Sequence, residues 1–61
     1  MILKANRTLK NSYDQVLFME GREYHAKMSP KRIYIFNELH TETPFKPGKL
    51  IDDFEIVDMY A

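Results

Sequence analysis

The stretch Val16-Leu17-Phe18-Met19-Glu20-Gly21-Arg22-Glu23-Tyr24-His25-Ala26-Lys27-Met28 decides how this chain folds. Val16 and Phe18 stand two apart on one face, and Tyr24, Ala26 and Met28 alternate with His25 and Lys27. A period of two carried by β-branched and aromatic residues marks a half-buried strand. Glu20 and Gly21 lie between the two runs, and glycine adopts the positive φ of a tight turn without steric cost. The stretch reads as strand, turn, strand over 15–19 and 23–28.

The same period continues on both sides. Leu3 and Ala5 alternate with Lys4 and Asn6, which predicts a first strand over 2–8 and a loop over 9–14. Ser29-Pro30-Lys31 reads as a turn before a strand at 32–37, in which Ile33 and Ile35 alternate with Tyr34 and Phe36. That strand is apolar on both faces. A hairpin connection at 37–40 leads to a strand at 41–45, placed at a sheet edge because Pro44 lacks a ladder donor. Pro47-Gly48 turns the chain. Only near 48–54 does a helical period fit, with Leu50, Ile51 and Phe54 forming a short 3₁₀ or helical turn before a last strand at 54–59.

Size and composition narrow the function classes. A chain of 61 residues makes one domain, 1–61. It contains no cysteine, so neither a disulfide nor a thiolate metal site is open to it. No apolar run approaches the roughly 18 residues of a membrane span, and Lys4 interrupts the N-terminus too early for a secretory leader. The expectation is a cytoplasmic protein, complete from Met1 and without a membrane partner.

Nine basic residues balance nine acidic ones, but unevenly along the chain. Residues 1–32 carry net +4 and residues 33–61 net −4. Either this marks a polar binding surface, or a small barrel interleaves its halves and neutralises them.

The order of elements resembles an SH3-like barrel. Val16 to Tyr24 looks like that family's diverging turn, and Gly48-Lys49-Leu50-Ile51-Asp52-Asp53-Phe54-Glu55-Ile56-Val57 looks like its helical turn and closing strand. The whole chain also resembles the short SH3-like proteins encoded by bacteriophages and prophages, which often carry Phe-x-x-Gly-x-x-Tyr, here Phe18 to Tyr24. The resemblance implies an all-β, five- to six-stranded barrel with one short helical turn before the last strand. One departure matters. SH3 domains that read proline-rich ligands use a Trp pair and a first-strand Tyr pair, whereas this chain has no Trp and no aromatic in Ala5 to Leu9. The polyproline groove is not expected.

No catalytic, cofactor-binding or metal-binding set stands out. His25 and His40 match no zinc spacing. The two glycines, Gly21 and Gly48, are too few for a phosphate-cradling loop. Asp52-Asp53 reads as a cap at the start of a helical turn rather than as an acid–base pair. Two candidate surfaces remain. One is a partner-binding face of Arg32, Tyr34, Phe36 and Leu39, with Tyr34 and Phe36 either outward or buried by a bent strand. The other is a basic rim of Arg7, Lys10, Lys27 and Lys31, which would suit nucleic acid. The leading expectation is a non-enzymatic protein-interaction module, of the kind a phage-type accessory protein would use to engage a host protein. The alternatives are a small nucleic-acid-binding barrel and a self-associating subunit, such as a homodimer.

Overall fold

The alternation of Tyr24 and Ala26 with His25 and Lys27 is realised in the longest strand. The computed structural model describes residues 1–60 and, for Ile51, the backbone alone. Its elements are β1 (Ile2–Ala5), β2 (Leu9–Lys10), β3 (Val16–Phe18), β4 (Glu23–Met28), β5 (Ile33–Phe36), β6 (Glu42–Phe45), α1 (Pro47–Asp53) and β7 (Phe54–Asp58). Five strands form one antiparallel sheet in the order β6-β5-β4-β1-β7, and β2 and β3 form a separate hairpin. The class is mostly β with one short helix, as expected.

Three details differ from the sequence reading. The five-stranded sheet does not close into a barrel through its ladders, since β6 and β7 remain edges. Among the described residues there are seven strands instead of five or six, because the expected first strand of 2–8 ends at Ala5 and a further short strand forms in the expected loop. After Ala5 the chain leaves the ladder, and the Asn6 N–H donates to the Asp53 carbonyl at 2.8 Å. Leu9 and Lys10 then pair with β3 where a loop was expected. Asn11 makes this hairpin possible: its Oδ1 accepts from the N–H groups of Tyr13 (2.9 Å) and Gln15 (3.0 Å). This is the turn chemistry for which Asn is suited.

The third difference is at Pro47. The chain does not merely turn there but enters a seven-residue helix with proline in its first turn. Proline is well placed at such a start, because its missing N–H would have had no intrahelical partner. Asp52 and Asp53 consequently fall at the end of α1, not at its start, so neither is an N-cap. Ile51, grouped with Leu50 and Phe54 in the sequence, has a side chain outside the described residues.

The core comprises Leu3, Ala5, Phe18, Tyr24, Ala26, Ile33, Ile35, Leu50 and Phe54, with Phe45 and Leu9 packed against it. Phe18 is fully buried although its strand has three residues. Its ring meets Tyr24 edge-on at 4.9 Å and Phe54 edge-on at 5.1 Å, with Phe45 tilted at 5.9 Å. Phe45 and Phe54 also touch each other edge-on at 5.4 Å. They belong to β6 and β7, so rings join the two edges that hydrogen bonds leave apart. Each such pair contributes about 0.5–1.5 kcal/mol beyond its buried area.

Two predictions follow from this packing. Phe18→Ala should cost about 3–5 kcal/mol, most of what a chain of this size holds at about 0.05–0.15 kcal/mol per residue. Urea unfolding followed by circular dichroism measures it, and a loss below 1 kcal/mol (about the cost of an exposed substitution) would contradict the central role of the ring. The two glycines should respond in opposite directions. Gly21 has φ +82, so Gly21→Ala should destabilise by about 1–2 kcal/mol, although nothing lies within 4 Å of the added Cβ. Gly48 lies in α1 with the same open space and no positive φ, so Gly48→Ala should stabilise by about 0.5–1 kcal/mol.

Candidate functional site

Strand β5 carries the candidate face. Ile33 and Ile35 are buried, so their alternates Arg32, Tyr34 and Phe36 lie on the outer side. The choice left open by the sequence is thereby settled: both rings point outward. Tyr34 is half-buried and Phe36 is 41% exposed. Pro44 stands opposite Tyr34 on β6 and Lys27 opposite it on β4, while Glu42 stands opposite Phe36.

The ring of Phe36 is framed rather than bare. The Lys27 ammonium lies 5.7 Å from its centroid and pairs with Glu42 at 3.2 Å. Lys27 therefore reaches from β4 across β5 to β6. A cation over an aromatic face is worth about 0.5–1 kcal/mol when exposed, and the exposed ion pair adds about 0–1 kcal/mol. Together they hold the Lys27 ammonium over the ring.

Leu39, also 41% exposed, stands in the turn between β5 and β6. The turn is organised by Asn37, a buried polar residue. Asn37 Nδ2 donates to Thr41 Oγ1 (2.9 Å) and Thr43 Oγ1 (2.8 Å). Its Oδ1 accepts from the N–H groups of Leu39 (3.0 Å) and Thr41 (3.1 Å). His40 takes φ +63 here, so it is exposed in a turn, whereas His25 is exposed on β4.

The same turn presents Glu38, which the sequence reading missed. Its N–H donates to the Leu17 carbonyl at 2.9 Å. Its carboxylate accepts from Tyr24 Oη at 2.5 Å and from one Arg22 nitrogen at 3.0 and 2.8 Å. Tyr24 Oη in turn accepts from the Met19 N–H at 2.7 Å. No local motif announces this cluster, because its members are 14 and 16 residues apart in sequence. Burial, followed by the bond to Glu38, raises the Tyr24 phenol above its ordinary 10.0. The bond from Tyr24, followed by that from Arg22, lowers the Glu38 carboxyl below its ordinary 4.5.

The expected basic rim is not gathered in one place. Arg7 pairs with Asp53 at the end of α1, and its Nε donates to Asp53 Oδ1 at 2.6 Å. Lys10 pairs with Asp14 in the β2–β3 hairpin at 3.3 Å. Lys27 is engaged with Glu42. Lys31 alone of the four has no ion pair among the described residues, and it lies in the Ser29–Arg32 turn that Ser29 closes through hydrogen bonds with Arg32. Comparison with protein-family models, with curated proteins and with solved structures finds no match to this chain.

The Tyr24–Glu38 bond has a pH consequence whose sign is defined. A carboxyl depressed in the folded state contributes stability above its unfolded value and loses it as pH falls through the folded value. A phenol raised in the folded state contributes stability below its unfolded value and loses it as pH rises through the folded value. Glu38→Gln should therefore flatten the loss of stability below 4.5, and Tyr24→Phe should flatten the loss above 10.0. Urea midpoints across the two limbs test this. Variants that track the parent chain at both ends would show that the cluster does not couple protonation to folding.

Proposed function

We propose that this chain is a non-enzymatic protein-interaction module on an SH3-like framework. Three features of the fold support that framework: the strand order, the β2–β3 hairpin inserted between β1 and β4, and the helix immediately before β7. A phage-type accessory protein acting on a host protein in the cytoplasm is the biological setting in which we place it, on the strength of the Phe18–Tyr24 element.

The observation that carries the reading is Phe36. A large ring sits exposed at the end of β5, opposite Glu42 and beside the Lys27 ammonium that pairs with it. A ring already fixed by its own sheet loses little conformational freedom on binding, so more of its contact energy appears as affinity. Tyr34 and Arg32 extend the face along β5, and Leu39 adds an apolar contact at its end. Aromatic residues and Arg are the types that anchor protein interfaces. The nucleic-acid reading has weaker support, since Arg7, Lys10 and Lys27 already have carboxylate partners.

Affinity capture from bacterial lysate with the tagged chain should recover a partner. Tyr34→Ala combined with Phe36→Ala should weaken that partner by about 2 kcal/mol or more, which is about thirtyfold. The reading fails if every recovered partner binds the double variant as tightly as the parent while circular dichroism shows both folded.

A further inference from the structure

The two edges of the five-stranded sheet differ in kind. Edge β6 is blunted by Pro44, which can donate no hydrogen bond to an added strand. Edge β7 contains no proline and pairs with β1 alone. Every second residue of an edge strand directs its N–H and C=O away from the sheet.

The apolar residues of this edge are uncovered. Ile56 stands opposite Leu3 in the ladder, and opposite residues of an antiparallel pair share a face. Leu3 is fully buried, yet Ile56 on the same inner face is 49% exposed. Val57 (47%), Met59 (51%) and Tyr60 (97%) continue the exposed run. The register passes from Leu3↔Ile56 to Ile2↔Asp58, so Val57 is the extra residue of a bulge. Such a residue is left out of the ladder, which adds unpaired backbone groups to those of the edge.

Charge selects what can add here. Asp52, Glu55 and Asp58 flank the apolar run, and none belongs to an ion pair among the described residues. Lys4 stands opposite Glu55 in the ladder without pairing to it. A second copy suits this edge poorly. An antiparallel pairing of β7 with itself about Ile56 and Val57 would set Glu55 against Asp58, a like-charge contact that destabilises. Among the described residues the side-chain cations without an ion pair are Lys4, Lys31, Arg32, Lys46 and Lys49. Lys4 lies in β1, which is already paired on both sides, and the others lie in a turn, at the entry to α1 and in α1, so none offers a free strand.

We propose that β7 is a docking edge for an extended basic segment of another protein, which adds as a strand, covers Ile56 and Val57, and sets Lys or Arg beside Glu55 and Asp58. Backbone bonding supplies affinity in this mode, and alternate side chains supply selection. The proposal is independent of the Tyr34–Phe36 face, which lies on the outer side of β5.

Short synthetic peptides test it, with the full chain observed by amide NMR. A peptide alternating Lys and Val should shift the amides of 54–60 and bind about tenfold more tightly than oligolysine of equal charge. A peptide alternating Glu and Val should not bind. Val57→Pro should abolish the interaction. As a guard against misfolding, Glu55→Lys with Asp58→Lys should reverse the preference from the basic to the acidic peptide. Tyr34→Ala with Phe36→Ala should leave the peptide bound, so failure of the face and failure of the edge are distinguishable. The proposal is overturned by shifts outside 54–60 alone, by equal binding of oligolysine, or by sedimentation showing that β7 pairs with a second copy.

Discussion

The burial of Phe18 is the interaction on which the rest depends. Its strand has three residues and pairs with a strand of two, which is too little ladder to stand alone in water. The ring fixes this hairpin to the main sheet by meeting Tyr24, Phe45 and Phe54 at once. Those rings come from β4, β6 and β7, so a single side chain ties the hairpin to the middle and both edges of the five-stranded sheet. Without it, the contact between Phe45 and Phe54 across the open edges would lose the ring that both pack against.

Electrostatics reinforces the same arrangement. The first half of the chain is basic and the second acidic, and the fold interleaves them. Among the described residues, three of the four ion pairs join a base of the first half to an acid of the second: Arg7–Asp53, Arg22–Glu38 and Lys27–Glu42. Each is exposed on at least one side, so each contributes about 0–1 kcal/mol. Their value is in placement. Arg22–Glu38 holds the β5–β6 turn beside Tyr24, and Lys27–Glu42 frames Phe36.

The surface left over is divided by chemistry. The outer face of β5 offers the rings of Tyr34 and Phe36, the second framed by Lys27. The β7 edge offers backbone groups, uncovered aliphatic side chains and unneutralised carboxylates. The first suits a preformed partner surface and the second an extended chain. Both exist because the core is small: a chain of this length cannot cover both faces of its sheet and both of its edges.

Much of this was legible in the amino-acid sequence, and the limit follows from the range of the interactions. Period two over 23–28 and 33–36, Gly21 at a turn, and Pro44 at an edge are local constraints, so they located the strands, the turn and the blunted edge. The outward aspect of Arg32, Tyr34 and Phe36 followed from the burial of Ile33 and Ile35 once a sheet was present. Tertiary structure decided the rest. The first strand ends at Ala5 because Asn6 finds a partner in Asp53, forty-seven residues on by number. Tyr24 and Glu38 meet, Arg7, Lys10 and Lys27 separate onto different carboxylates, and Ile56 stays uncovered opposite a buried Leu3. Each of these depends on which strands become neighbours. Periodicity along a chain states which face a side chain takes, and only the order of strands in the sheet states what that face meets.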